Sequence, residues 1–271
     1  MTAAPRIARP FELVVVGCHG GETPKHRTSG FLLNARGKRL AIDAGSLTSG
    51  LTLKEQNALD AVLISHGHMD HLRDLATLAD NRCQGSAEPL VIASTKATIA
   101  ILKKHFFNGL LWPDFTKIPA GNGPTIVYQT LKAEEPTDVV GFEVSAVLVS
   151  HTIESAGFLV RLPGEQGAIA YSGDTGPTDR LWRVLNAAPD LRALLLEVSF
   201  PNEQRELAVS SGHLTPDTFA RELAKLERRR DVPTFAYHIK PTFERQVERE
   251  LAKVRGGVDL SVLRIGDHFL L

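Results

Sequence analysis

The sequence predicts an α/β fold in four layers, two β-sheets face to face with helices outside each, built as one domain over residues 1–271. Three observations carry that expectation. Short apolar runs rich in β-branched residues recur along the whole chain. In the first half they follow one another at hairpin spacing, and in the second half they alternate with segments of helical period. No Pro/Gly/Ser-rich linker, internal repeat or low-complexity tract divides the chain.

Strands are expected over 11–16, 31–34, 39–42, 61–64 and 90–93, each a short run such as Ala61-Val62-Leu63-Ile64 bounded by polar or turn residues. Later strands are expected over 141–149, 156–162, 168–171, 191–197, 234–237 and 258–265. Between them, segments 70–80, 95–106 and 177–187 read as helices. Thr215-Pro216 reads as an N-cap followed by proline at the first helical position, after which Phe219, Leu223 and Leu226 share a face. Thr242 is expected to cap a further helix, in which Phe243, Val247, Leu251 and Val254 repeat at helical spacing.

Composition narrows the function classes. An apolar fraction of 43% with 23% charged residues is an ordinary globular balance and excludes a wholly disordered or fibrous chain. The 31 basic side chains cancel the 31 acidic ones, which argues against a surface devoted to nucleic-acid backbone. Cys18 and Cys83 are the only cysteines and form no C-x-x-C pair, excluding a disulfide scaffold and a thiolate zinc site. No stretch approaches the roughly 18 apolar residues of a membrane span, and segment 1–10 lacks the apolar centre of a secretory signal. A cytoplasmic protein with reduced thiols is the expectation.

The chemistry concentrates in His66-Gly67-His68-Met69-Asp70-His71, at the end of an expected strand and the start of a helix. Alternation in an extended segment points His66 and His68 the same way, close enough to share one ion. Once the chain turns, Asp70 and His71 can face a second ion. Imidazole and carboxylate without thiolate suit zinc, manganese or iron. More candidate ligands follow apolar strands: His151 after 147–150, Asp174 in Tyr171-Ser172-Gly173-Asp174-Thr175-Gly176, and His238 after 234–237. A second ion requires more ligands than the first cluster holds, and its charge calls for carboxylates; Asp174 is placed to bridge. Two divalent ions balanced by two carboxylates and a hydroxide leave a net positive site, attractive to a phosphodiester monoanion.

His66-x-His68-x-Asp70-His71 with the distant histidines and aspartate resembles the metallo-β-lactamase superfamily over about residues 11–268, and that family's αββα fold matches the four layers expected above. Within it, Gly17-Cys18-His19-Gly20-Gly21 with Ser29-Gly30-Phe31, the run 196–202, Gly212-His213-Leu214-Thr215 and His238-Ile239-Lys240-Pro241 are similar to class II 3′,5′-cyclic-nucleotide phosphodiesterases. The resemblance implies two divalent metal ions, zinc first. His66, His68 and His151 would hold one, Asp70, His71 and His238 the other, and Asp174 would bridge. It implies that His213 contacts phosphate oxygens or protonates the leaving alkoxide, with Glu197 fixing its tautomer, so that Asp70, His213 and Glu197 form the catalytic set. The substrate implied is a small cyclic nucleotide, cyclic AMP or cyclic GMP, and a homodimer follows by family analogy.

Other residues carry weaker signals. Asp43 in Ala41-Ile42-Asp43-Ala44-Gly45 is expected to accept from a ligand histidine. His19 and Gly20, in the glycine-rich loop 17–30 with Lys25, His26 and Arg27, are candidates to approach a phosphate through backbone N–H groups. Lys240, two residues past His238, is a candidate to neutralise a phosphate oxygen. Arg228-Arg229-Arg230 reads as a solvated helix end, and Phe106, Phe107 and Trp112 as core. Two rival activities share the metals: a tRNA 3′-end endonuclease, which the resemblance associates with a long clamping insertion between the equivalents of His151 and Asp174, and a lactone or thioester hydrolase. A non-catalytic metal-binding scaffold is the rival of another class, and intact ligands speak against it.

Overall fold

Sixteen strands pair into two sheets of seven and one short hairpin in a computed structural model that describes residues 11–85, 88–254 and 257–271. Segment 1–10, where the sequence reading found no secretory signal, lies outside the described residues. The first sheet runs in the spatial order His268–Leu270, Glu12–Gly17, Gly30–Ala35, Lys38–Ile42, Ala61–Leu63, Leu90–Thr95, Ile126–Leu131. Its first four strands pair antiparallel, and the links from Lys38–Ile42 onward are parallel. The second runs Leu260–Val262, Thr234–Tyr237, Leu191–Glu197, Ala168–Tyr171, Ser155–Arg161, Phe142–Val149, Thr137–Val139, parallel through its first four strands and antiparallel beyond.

Period-2 alternation with apolar residues on both faces explains the layering. Leu13, Val15, Phe31, Leu33, Leu40 and Ile42 meet Phe158, Val160, Tyr171, Leu195, Phe235 and Tyr237 in a core shared by the two sheets. The intervening residues point outward. Val16, Leu32, Ala41 and Val62 pack under Leu72, Leu75, Leu78 and Leu102. Leu194, Leu196 and Ala236 pack under Leu181, Trp182, Phe219, Leu223, Val247 and Leu251. These are the four layers read from the sequence.

Several expected elements take different bounds. The 70–80 helix is two helices, Met69–Leu72 and Leu75–Cys83. The break follows from the chain beside it: the Asp74 N–H donates to the Ala44 carbonyl (2.8 Å) and not to the turn before it, while the Ala44 N–H donates to the His71 carbonyl (2.7 Å). That approach requires Gly45, because a Cβ there would stand 2.0 Å from the Asp70 carbonyl oxygen. The 95–106 helix is Lys96–Ile101, capped by the Thr95 side chain, and it continues as a π-helical turn, Leu102–Phe106. The 177–187 helix is Arg180–Asn186. Thr215 caps Pro216–Leu223 with a full capping box through Thr218. Thr242 does not cap the next helix: it lies inside the 3₁₀ turn Pro241–Phe243, Phe243 occupies the cap position, and Glu244–Leu251 follows. The strand expected over 258–265 shortens to Leu260–Val262. Cys18 is a buried free thiol and Cys83 a partly exposed one. No helix among the described residues is long and apolar enough to cross a membrane.

Candidate metal centre

Both sheets deliver their chemistry at the same edge, beyond the carboxyl ends of strands, where an open α/β sheet leaves a crevice. His66 and His68 leave Ala61–Leu63 in extended chain, and the following helix Met69–Leu72 carries Asp70 and His71. His151 follows Phe142–Val149, Asp174 follows Ala168–Tyr171, and His238 follows Thr234–Tyr237. The Ala156 N–H donates to the Ser65 carbonyl (3.0 Å), joining the two sheets beside the site.

All seven side chains converge. In one group the His68 Nδ1 lies 3.0 Å from His66 Nε2 and 3.2 Å from His151 Nε2. In the other, His71 Nε2 lies 3.3 Å from His238 Nε2, and the Asp174 Oδ2 stands 3.1 and 3.2 Å from them. Asp70 Oδ2 is 3.4 Å from His238 Nε2. The same Asp174 oxygen is 3.8 Å from His66 Nε2, so it lies between the groups.

The donor set fits divalent cations, because the atoms facing inward are acceptors without partners. The outer nitrogen of four rings has its own partner. His71 Nδ1 meets Asp43 Oδ2 (2.7 Å), His66 Nδ1 meets Ser65 Oγ (3.0 Å), His238 Nδ1 meets Ser199 Oγ (2.9 Å) and His151 Nδ1 meets the Gly212 carbonyl (2.9 Å). With those protons directed outward, the Nε2 lone pairs of neutral rings face one another and the Asp174 carboxylate. Asp174 Oδ1 is buried with no hydrogen-bond partner. Such a gathering of acceptors is costly unless a cation lies among them.

The histidines and carboxylates shift one another strongly. Burial disfavours charge on His71, yet Asp174 and Asp43 hold its pKa well above the ordinary histidine value. Burial, with His71 beside it, pushes His66 well below. Burial works to raise Asp70 and Asp174, but the surrounding histidines hold both carboxyl groups below the usual range.

Asp43 accepts from His71, as the sequence suggested, and it is held more firmly than sequence showed. It also accepts from Ser65 N–H (2.8 Å), Ser65 Oγ (2.9 Å) and the Tyr171 hydroxyl (2.6 Å). Ser65, Ser199 and Tyr171 are the participants sequence reasoning missed; serine and tyrosine in or beside strands carry no local signal of such a role.

Glu197, fully buried, accepts from the Thr175 N–H (3.0 Å) and pairs with His213 Nδ1 at 2.8 Å. His213 sits among ligand candidates, its ring centroid 5.1 Å from that of His151 and 5.2 Å from that of His238. Burial opposes its charge, but Glu197 outweighs burial and its pKa is raised. Lys240 Nζ donates to the Gly20 carbonyl (2.5 Å) and lies 3.9 Å from Asp70 Oδ2.

Two substrate expectations are corrected. The Gly20 N–H donates to the Ile239 carbonyl (3.1 Å) and is not available to a phosphate. His19 is buried and turned to the Arg27 carbonyl and Glu244. The loop zips onto its own return strand, Cys18 and His19 N–H both donating to the Arg27 carbonyl, which a glycine count does not reveal. Phe106 and Phe107 are core, but Trp112, expected there too, is exposed, its Nε1–H donating to the Ala76 carbonyl.

Residues 24–236 match the family model described as a beta-lactamase superfamily domain. A probable 3′,5′-cyclic-nucleotide phosphodiesterase of Yersinia pestis is 26% identical over 93% of this chain and 85% of its own. A ribonuclease Z of Bradyrhizobium sp. (strain ORS 278) is 26% identical over 76% of this chain and 82% of its own. Among solved structures, unliganded yeast PDE1 superposes with a TM-score of 0.81 at 20% identity, over 97% of this chain and 99% of that one. The fold protein YhfI of Bacillus subtilis gives 0.76 at 20% identity, over 96% and 99%.

Proposed function

The chain belongs to the beta-lactamase superfamily, a metal-dependent hydrolase with cyclic-nucleotide phosphodiesterases among its relatives, and on that premise we propose that it opens 3′,5′-cyclic nucleotides to 5′-monophosphates. The observation that carries the reading is the His213–Glu197 pair seated against His151, Asp174 and His238. A phosphodiester releases an alkoxide, which needs a proton, and a histidine whose Nδ1 is fixed by a carboxylate presents its Nε2 for that task.

His66, His68 and His151 would hold one divalent cation and Asp70, His71 and His238 another, with Asp174 shared; zinc fits first, and manganese or iron suit the same donors. Bound there, the pair supplies Lewis-acid activation of water and of the phosphoryl group. The chain does the rest. Asp43, Ser65, Ser199 and the Gly212 carbonyl fix the ring orientations. His213 gives its proton to the departing 3′ oxygen. Lys240 faces the non-bridging phosphate oxygens from the side of Asp70. We place the enzyme in the cytoplasm, as a single domain acting on a small molecule.

Protein loaded with zinc or manganese is expected to convert cyclic AMP to 5′-AMP, and Asp174→Ala to abolish turnover. Formation of 3′-AMP would reverse the assigned leaving group. A second reading, cleavage of precursor tRNA, is favoured by the ribonuclease Z relatives. Against it, the interval from His151 to Asp174 is taken up by strands Ser155–Arg161 and Ala168–Tyr171 and a short turn, which leaves no arm to clamp tRNA. A panel of cyclic nucleotides, aryl phosphodiesters, lactones and tRNA separates the readings.

A further inference from the structure

Behind His238, a second cluster gathers three metal-competent side chains that play no part in the centre described above. His19, His26 and Glu244 place one donor atom each within 4.8 Å of one another. Glu244 Oε1 is 3.6 Å from His19 Nε2, and Glu244 Oε2 is 3.3 Å from His26 Nε2. The rings of His19 and His26 meet edge to face, centroids 4.7 Å apart.

Protonation does not satisfy this arrangement. His19 Nδ1 lies 3.3 Å from the Arg27 carbonyl, and its Nε2 faces a carboxylate; both partners are acceptors. A neutral ring carries one N–H, so the other nitrogen faces an acceptor, with only the weakly donating Cys18 thiol near Nδ1 at 3.7 Å. A doubly protonated ring would satisfy both, but burial and the neighbouring His26 push the His19 pKa down. Arg264 also reaches Glu244, its Nη1 3.6 Å from Oε1, although its closer partner is Glu248.

The spacing suits a cation. Donors held at about 2.0–2.2 Å around a tetrahedral zinc stand about 3.3–3.6 Å apart. Glu244 reaches one imidazole with each oxygen, Oε1 to His19 at 3.6 Å and Oε2 to His26 at 3.3 Å, so its carboxylate stands between the two rings, close to that spacing. Two imidazoles and one carboxylate, without thiolate, form a borderline donor set that zinc accepts. His26 and Glu244 are partly exposed, so water can complete the coordination.

We propose that His19, His26 and Glu244 form a separate divalent-cation site of zinc type, which fastens the 17–30 loop to the start of helix Glu244–Leu251. The consequence reaches the active edge. His19 bridges to both Thr28 and Ile239, and Lys240 is held by the Gly20 carbonyl. A cation here stiffens the segment that carries His238 and Lys240 without touching either.

The test counts zinc and does not depend on activity. Protein stripped with a chelator is equilibrated with zinc alone and dialysed, and bound zinc is measured by elemental mass spectrometry, with circular dichroism to check the fold. His26→Ala and Glu244→Gln are each expected to hold one zinc fewer than wild type. The same one-zinc difference is expected in an Asp174→Ala background, so the result stands or falls apart from the active-centre reading. Equal zinc in wild type and His26→Ala overturns the proposal. So does loss of more than one zinc from a natively folded His26→Ala protein.

Discussion

Replacing Asp43 by asparagine tests whether the metal centre is organised from behind. Asp43 Oδ2 accepts from His71 Nδ1, Ser65 Oγ and the Tyr171 hydroxyl at 2.7, 2.9 and 2.6 Å, and Oδ1 accepts from the Ser65 N–H at 2.8 Å. An asparagine oxygen in place of Oδ2 keeps three neutral bonds where charged ones stood. Its NH2 then opposes the Ser65 N–H, leaving a buried donor unmet at about 1–3 kcal/mol. With the weakened bonds included, a stability loss of roughly 2–4 kcal/mol is expected. The more specific effect is on His71. Without a carboxylate on Nδ1 its Nε2 is a weaker ligand, and loss of such a partner lowers metal affinity about 10–100-fold. Zinc affinity is read by competition with a chromophoric chelator, beside a thermal melt. Tyr171→Phe, which removes one donor and keeps the charge, is the control and is expected to shift affinity much less. A folded Asp43→Asn protein with wild-type zinc affinity would refute the reasoning.

Four further outcomes follow from the same structure. His213→Ala should lower turnover about 10²–10⁴-fold while metal content, measured on the same sample, stays unchanged; loss of metal would mean His213 is a ligand. Because Glu197 raises the His213 pKa and a proton donor works only below its pKa, Glu197→Gln should move the alkaline limb of the kcat–pH profile downward; an unmoved limb would remove His213 from the acid role. Burial pushes the Cys18 thiol up to about 12, so at pH 8 only about 10⁻⁴ of it is thiolate and iodoacetamide should leave it unmodified by mass spectrometry under native conditions. Gly212 has φ +69° and a Cβ there would stand 2.9 Å from His151 Nδ1, so Gly212→Ala should cost about 1–2 kcal/mol in a denaturant melt and weaken zinc binding as well.

How much was legible depended on whether the signal was local. The hexad 66–71 and the strands before His151, Asp174 and His238 announced themselves, because ligand density and apolar runs are written in consecutive residues. The two-sheet layering followed from alternation that both faces obey, as in Leu194-Leu195-Leu196. Edges and interruptions were not local. The 70–80 helix breaks because Ala44, far away in sequence, takes the Asp74 N–H. Ile126–Leu131 and His268–Leu270 close the first sheet through partners that only the fold supplies. Thr242 has the chemistry of a cap, but Pro241 draws it into a 3₁₀ turn and moves the helix start beyond it. Gly20 was misread for a similar reason: its N–H belongs to Ile239, a pairing across the fold. The left-handed His238, φ +71°, is likewise a tertiary fact, fixed where its N–H donates to the Cys18 carbonyl at 2.7 Å.

The most direct measurement is an anomalous difference map at the zinc edge from crystals of zinc-loaded protein. The account predicts one peak within about 2.0–2.2 Å of His66 Nε2, His68 Nδ1 and His151 Nε2, and a neighbour at the same range from Asp70, His71 and His238, with Asp174 touching both. A single peak there, or an Asp174 carboxylate out of reach of either ion, would contradict it.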